Sequence, residues 1–438
     1  MGYSEVLCHI CGVSFNIRRF RTDKEPSTEA LDTPFYLNAE NCPEEGGCFF
    51  VRRGSDLQPP AEPVKYSPSE IEYSDIQEDD QEHIPGPNCG QSGAYNGHRI
   101  TMEAMKHCQT LQCLVYKPAD WQPQPDDEEF EVSGHYFLSG LSDHMPSRDE
   151  SSPTVFPARH GLDNPNAENT MWDIDDADSY AMPFHPTCLE IFKRASLRRH
   201  GVVDVECLTQ WWRLEATYEE LFDFPRVDAV RNGQQQWWEH NLGDEYLVAN
   251  PCFVPGLESV LQSAQGMNHA EKDGSKSTTT TISTKSTSND LFSKLPAEIR
   301  DSILVQLDFK DLANLRLSSR VFLELPNPVL YELTLRHTPW LYEAWSSLPL
   351  SFWTTTTQEK LEREYDDTSA FERASHSATP VNRLNRTGTN WLHLQAEISR
   401  NWNKFLGLKN RRRIWDDCEE ILDRVDKYRQ QGKIAAWA

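Results

Sequence analysis

The chain has 438 residues, a length that suits two to three domains. It carries 68 acidic against 43 basic side chains, for a formal charge of −25, yet it holds 13 tryptophans. That many tryptophans exclude a wholly disordered chain. The acidity argues against a general nucleic-acid binder, which needs clustered Lys and Arg, and against docking on anionic membranes.

No stretch approaches 18 apolar residues, so no membrane-spanning helix is expected. The start, MGYSEVLCHICG, lacks the basic and apolar regions of a signal peptide, and Val6 stands where a myristoylation pattern needs Ser or Thr. Eleven cysteines, an odd number, then read as reduced thiols with metal ligation where they cluster. The expected location is the cytoplasm and/or nucleus.

In chain order, the first element is Cys8-His9-Ile10-Cys11-Gly12. Two thiolates spaced C-x2-C can face one cation, and the glycine lets the backbone turn so that amides point at the sulfurs. Only one such half-site is present. The best partner half is Phe184-His185-Pro186-Thr187-Cys188, where Pro186 suits the first helical position. His185 and Cys188 then lie three apart on one face of a helix start, where the dipole favours a thiolate. A knuckle plus a helix N-terminus predicts a treble-clef-like zinc site of Cys8, Cys11, His185 and Cys188. Four protein ligands make it structural rather than catalytic. The alternative is a set of reduced cysteines in ordinary packing, since 173 residues lie between Cys11 and His185. Cys42, Cys48, Cys89, His107, Cys108 and Cys113 are candidates for a second site or for buried small hydrophobes.

Between these halves the chain reads as irregular, with loop-like stretches. Residues 56–87 are Pro-rich and acidic, PDDEEFE forms a second acidic turn at 125–131, and 143–178 is again irregular. Residues 56–178 hold 25 acidic and 6 basic residues, so most of the net charge sits in this block. Helical patterning begins after Pro186. Trp211-Trp212 and Trp237-Trp238 read as core aromatics, with a peptide-binding surface as the alternative. Residues 262–289, rich in Ser, Thr and Lys, read as a flexible linker.

From residue 290, Pro296 opens a helix with Ile299, Ile303, Leu304 and Leu307 at helical spacing. Asp308 suits the N-cap of the next helix, which carries Leu312, Leu315 and Leu317. A third short piece follows with Val321, Phe322 and Leu325. Three short helices in about 45 residues are too few to bury their own apolar surface, so the segment should pack on a partner. Beyond it, Trp391 to Phe405 marks one amphipathic helix and Ile414 to Tyr428 another. Lys404, Lys409 and Arg411–Arg413 between them read as a solvated basic face meeting the acidic block, or as a nuclear-localisation or anion-binding patch.

The run L-P-x-E-I-x3-I-L-x2-L-x3-D-L-x2-L-R-x2-S-R-x-F, residues 295–322, resembles the F-box. The segments C-H-I-C-G-V-S-F-N, S-G-L-S-D-H-M-P-S-R-D, M-P-F-H-P-T-C and W-L-Y-E-A-W are also similar to a filamentous-fungal group of F-box proteins with an N-terminal Cys/His-rich region. The resemblance implies binding to a Skp-type adaptor and, through it, to a cullin, as the substrate-recognition subunit of a Skp–cullin–F-box ubiquitin ligase. By position it implies adaptor contacts at Leu295, Pro296, Ile299, Ile303, Leu304, Leu307, Leu312, Leu315 and Phe322, some of which instead serve the core. Phe322 stands where many members carry Trp.

The fold expected is α+β, mostly helical and loop-rich. Its parts are a Cys/His- and Trp-rich zinc-stapled block at 1–261, the linker, an F-box at 290–336, and C-terminal helices at 337–438. No nucleophile elbow, phosphate-binding loop or dinucleotide fingerprint occurs, so the chain is expected not to be an enzyme. A single C-x2-C cannot supply the paired sites of a RING ligase. The alternative function is a zinc-stabilised interaction protein that uses the F-box outside a ligase, and the protein target is not legible.

Overall fold

The computed structural model describes residues 5–22, 25, 46–52, 65–66, 81–123, 127–143, 157, 159, 181–215, 224–235, 237–270, 290–364 and 379–434. They form a mixed helix-and-strand protein in two compact units. None of their helices is long and apolar enough to cross a membrane. Cys42, most of the expected loop at 143–178, and residues 271–289 lie outside the described residues.

The first unit comprises residues 1–254, 350–379 and 406–438. Its strands are short: β1 (Arg19–Phe20), β2 (Phe49–Arg52), β3 (Lys65–Tyr66), β4 (Gln81–Ile84), β5 (Tyr95–Asn96), β6 (Gln112–Tyr116), β7 (Tyr136–Leu138) and β8 (Ala181–Phe184). They build three small sheets, ordered β1-β5, β3-β2-β4 and β7-β6-β8. In the last, β6 pairs antiparallel with both neighbours, with Leu114 opposite Leu138 and Met182. Its helices are α1 (Glu129–Ser133), α2 (Pro186–His200), α3 (Val205–Glu215) and α4 (Asp228–Gly233).

The acidic turn at 127–131 is not a solvated loop. Glu128 caps α1 in a capping box with Glu131. Glu131 is fully buried and pairs with Arg159 at 2.6 Å, while Lys193 pairs with Glu128 and Glu190. These charges find internal partners within their own block rather than the expected C-terminal basic face.

The second unit comprises residues 255–349 and 380–405. It contains α5 (Leu257–Ala270), α6 (Ala297–Leu304), α7 (Phe309–Ser318) and α8 (Asn327–His337). Back in the first unit lie α9 (Phe352–Thr355) and α10 (Gln358–Glu364). They are followed by α11 (Trp391–Arg400) in the second unit and α12 (Leu406–Gln430) in the first. The two units therefore cut across the expected chain-order division, and the region 337–438 is shared between them.

A further correction concerns the linker. Its first nine residues, 262–270, continue α5, because Leu261 and Ala264 lie on one face and are buried. The helix α12 is the central element of the first unit. Ile414, Cys418, Ile421, Leu422 and Val425 recur at helical spacing and are all buried. Trp211, Trp212 and Trp238 are core residues as expected, whereas Trp237 is half exposed.

Candidate metal centre and apolar helix face

The candidate centre begins with a tight turn. Cys8 N–H donates to Val13 O at 2.9 Å, and Gly12 N–H to Cys8 O at 2.7 Å. Gly12 adopts φ +74, a left-handed conformation, and a Cβ there would lie 3.0 Å from Arg226 and Val230, so only glycine fits without strain. Cys11 N–H points at Cys8 Sγ, 3.4 Å away. His9 N–H donates to Pro183 O at 2.9 Å, which ties the turn to β8.

The strand then ends at His185, the N-cap residue of α2, and Pro186 opens the helix. His185 N–H also points at Cys8 Sγ, at 3.4 Å. Cys188 follows one turn on, and its Sγ lies 3.8 Å from His185 Nδ1. Cys11 Sγ lies 3.5 Å from the same nitrogen. All four ligand atoms of Cys8, Cys11, His185 and Cys188 lie within 4.8 Å of one another, and all four residues are buried. A tetrahedron with metal–sulfur and metal–nitrogen bonds of about 2.0–2.3 Å has edges of about 3.5–3.8 Å. The donor set therefore fits a metal ion. The structure brings together all four residues that the sequence singled out.

The imidazole is oriented for this task. His185 Nε2 faces Cys108 O at 3.0 Å. A carbonyl only accepts, so Nε2 carries a proton, and Nδ1 is the nitrogen turned toward the sulfurs, where it can ligate a metal that displaces its proton. Phe15 packs on the ring at a centroid distance of 4.4 Å.

Electrostatics also favour a cation. Burial pushes the Cys11 thiol up, but hydrogen bonds with Cys188 and Cys8 and the charge of His185 hold it well below the ordinary thiol range. Burial pulls His185 down, yet the Cys8 and Cys11 sulfurs raise it to about 10. Cys188 is pushed well above the usual thiol value by burial and then by hydrogen bonding with its sulfur neighbours. Negative charge thus gathers on Cys11 while neighbouring donors hold protons, and a divalent cation would displace those protons.

The surroundings satisfy the turn's carbonyls one by one. Arg226 donates to Ile10 O and, at 3.0 Å, to His9 O. Arg413 of α12 donates to Cys11 O at 2.7 Å, and Gln234 to Gly12 O at 2.8 Å. Trp212 Nε1–H donates to His9 Nδ1 at 2.7 Å. Asp417 bridges the two arginines, at 3.0 Å from Arg226 and 3.1 Å from Arg413. Its burial pushes the carboxyl up to about 6 although both guanidiniums pull the other way.

This corrects the sequence reading of the basic run in part: Lys404 and Arg412 are exposed, as a solvated face would have them. Arg411 and Arg413 are buried, not solvated: Arg411 Nε donates to Pro251 O at 2.5 Å, and Arg413 holds the cysteine turn. The arginines are drawn inward because buried carbonyls need donors. Arg226, Gln234, Arg413 and Asp417 carried no local motif to mark them as part of the site.

Among the described residues, Cys108 and Cys113 join neither Cys/His group, and burial raises both thiols. His107 is held below its ordinary value by burial. Cys48 and Cys89 are brought together with His83, a residue the sequence reading missed.

In the second unit, α6 and α7 follow the expected pattern. Asp308 caps α7 by accepting from Asp311 N–H at 2.7 Å, and Ser319 Oγ–H donates to Asp290 at 2.6 Å. The third piece is a single 3₁₀ turn at Arg320–Phe322. Of the nine expected contact residues, Leu304, Leu312 and Phe322 are buried in the unit itself, with Phe292 edge-on to Phe322 at 5.1 Å. These three are core. Leu295, Ile303, Leu307 and Leu315 are half buried, and Pro296 and Ile299 are exposed. Leu291 at 74%, Ile299 at 48%, Leu317 at 89% and Leu323 at 54% exposure leave large aliphatic side chains in water. Leu291 and Leu323 were not singled out by the sequence, because helical periodicity does not reach the turns that flank a short helix.

A segment of 52 residues is 44% identical to part of the ATP-dependent RNA helicase mss116, mitochondrial, of Aspergillus oryzae; it covers 12% of this chain and 8% of that protein. The chain thus spans under a tenth of that relative's length. No family model matches the chain, and no solved structure matches it.

Proposed function

We propose that the chain is a non-catalytic F-box receptor. In this reading residues 290–336 bind a Skp-type adaptor, and through it a cullin, while the Cys/His-rich block is a folded module that presents a protein target. The observation that carries the reading is the segment 291–323. It has the F-box pattern in sequence, and it leaves Leu291, Ile299, Leu317 and Leu323 exposed while its own core is already filled by Leu304, Leu312 and Phe322. Exposed aliphatic side chains of this size on a short helical segment favour a partner.

The metal in the Cys8, Cys11, His185 and Cys188 site is assigned as zinc. Three thiolates and one imidazole in tetrahedral spacing suit it, and four protein ligands leave no position for a reacting water, which makes the site structural. The knuckle followed by a strand and a helix N-terminus is treble-clef-like.

The test is co-purification from cells. The full chain should recover the adaptor and a cullin, and replacing Leu295 and Pro296 by Ala should abolish both. Ile299→Asp should do the same while leaving the unfolding transition in place. Retained recovery by all of these variants would refute the F-box reading, whereas adaptor without cullin would favour an interaction protein acting outside a ligase.

A further inference from the structure

We infer that the chain holds a second metal site, formed by Cys48, His83 and Cys89. Their ligand atoms lie within 4.8 Å of one another and all three residues are buried. Cys89 Sγ is 3.9 Å from His83 Nε2, close to the edge of about 3.5–3.8 Å that a tetrahedral zinc site of sulfur and nitrogen ligands requires.

Local structure builds this convergence. In the β2–β4 pair Phe49 stands opposite Ile84 and Phe50 opposite His83, so Cys48 lies one residue beyond the paired end of β2. The chain leaving β4 returns in a turn in which Cys89 N–H donates to Gly86 O at 3.1 Å. Gly47 adopts φ +72. A Cβ on Gly86 would stand only 1.8 Å from Gly46 O, so the two glycine-bearing turns cross in contact, which only glycine permits. The Asn96 side chain fixes the crossing by donating to Gly86 O at 2.8 Å.

The second observation is the direction of a main-chain amide. Gly86 N–H points at Cys48 Sγ from 3.4 Å. The first site has the same feature, with Cys11 N–H 3.4 Å from Cys8 Sγ. Amide hydrogen bonds stabilise negative charge on sulfur, and a thiolate is the form that binds metal. In both places a glycine turn aims an amide at a cysteine sulfur while an imidazole and another cysteine close on the same point.

Two thiolates and an imidazole select a borderline-soft divalent ion, zinc first. Among the described residues three protein donors converge on this point, one fewer than a closed tetrahedral site uses. The site does mechanical work. Sheets of two to four residues per strand cannot hold themselves, and Phe20 of β1 packs edge-on to His83 at 5.3 Å. A metal at His83 therefore clamps the β2–β4 strand pair beside β1.

The experiment is metal stoichiometry of the purified full chain by inductively coupled plasma mass spectrometry, after exchange into buffer with a weak chelator. The wild type should carry about two zinc ions, Cys188→Ser about one, Cys89→Ser about one, and the double variant none. A second measurement needs no variant. Iodoacetamide labelling read by peptide mapping should show Cys48 and Cys89 protected until a strong chelator is added, independently of Cys8, Cys11 and Cys188. About one zinc in the wild type with Cys48 and Cys89 labelled at full rate would overturn the inference. A Cys48–Cys89 disulfide in the non-reduced map would also overturn it. Neither result touches the first site, whose failure would appear as wild-type stoichiometry retained in Cys188→Ser.

Discussion

Arg413→Met is the sharpest probe of how the cysteine turn is held. The guanidinium is buried. It donates to Cys11 O at 2.7 Å, to Asn410 Oδ1 from two nitrogens, and to Asp417 at 3.1 Å. Methionine keeps most of the volume and removes every donor. Leaving the buried Cys11 carbonyl without this donor costs about 1–3 kcal/mol. Breaking a buried ion pair outright costs about 3–5 kcal/mol, but Arg226 still faces Asp417 at 3.0 Å, which offsets part of that loss. The net destabilisation should be about 3–5 kcal/mol.

In urea, followed by tryptophan fluorescence, the transition of the first unit should move down by about 1 M or more if its slope is about 3 kcal/mol per M. Transitions of the two units are fitted separately, since a two-unit chain need not unfold in one step. Metal affinity should fall about 10–100-fold, the usual cost of losing a group that positions ligands. Arg413→Lys should rescue only part of this, because an ammonium cannot reproduce the fork of donors. A midpoint within about 0.5 kcal/mol of wild type with metal retention unchanged would refute the claim that Arg413 supports the turn.

Gly12→Ala should weaken metal retention and lower stability by about 1–3 kcal/mol, through left-handed strain and crowding against Arg226, Val230 and Gln234; chelator competition reads this, and wild-type behaviour would count against the turn geometry. His240 accepts from Arg18 N–H at 3.0 Å and donates from Nδ1 to Ser92 O at 3.1 Å, so the ring must be neutral, and burial lowers it to about 3. The unfolded chain then takes up the proton first, and stability present above about pH 6.5 is lost as pH falls toward 3, at about 1.4 kcal/mol per pH unit. Wild type should lose about 2 kcal/mol more than His240→Gln between pH 6.5 and 5, and parallel curves would contradict the assignment. Leu304→Ala should cost about 2–5 kcal/mol as a core truncation. Ile299→Asp should change stability by no more than about 0.5 kcal/mol; equal effects on unfolding would mean that the two faces of α6 are misassigned.

Short-range chemistry was the legible part. C-x2-C-G and F-H-P-T-C each encode a local geometry, a turn and a helix start, and the structure joins them across the intervening chain. The residues that hold that joint were silent. Arg226, Gln234 and Arg413 matter because their side chains reach carbonyls of a turn more than 200 positions away, and no spacing rule expresses such a reach. The run Lys409 to Arg413 looked like a solvated face because charge is usually exposed. Arg411 and Arg413 turn inward, where buried peptide carbonyls need donors, while Arg412 between them stays exposed.

His83 was overlooked for the opposite reason. It stands alone in an acidic stretch, and only the pairing of β4 with β2 carries it to Cys48. In α6, periodicity placed Ile299, Ile303 and Leu304 on an apolar stripe. It could not say that Leu304 fills the core while Ile299 remains in water, since an eight-residue helix presents both edges of its stripe.

One binding measurement tests the F-box reading most directly: isothermal titration of the purified chain with a purified Skp-type adaptor. Saturable binding of about one adaptor per chain is expected, lost in Ile299→Asp and in the Leu295→Ala, Pro296→Ala double variant, and retained in Cys188→Ser if that variant keeps its second unit folded. No heat of binding from a wild-type chain with a full urea transition, or binding unchanged by these substitutions in the 291–323 segment, would contradict the F-box reading.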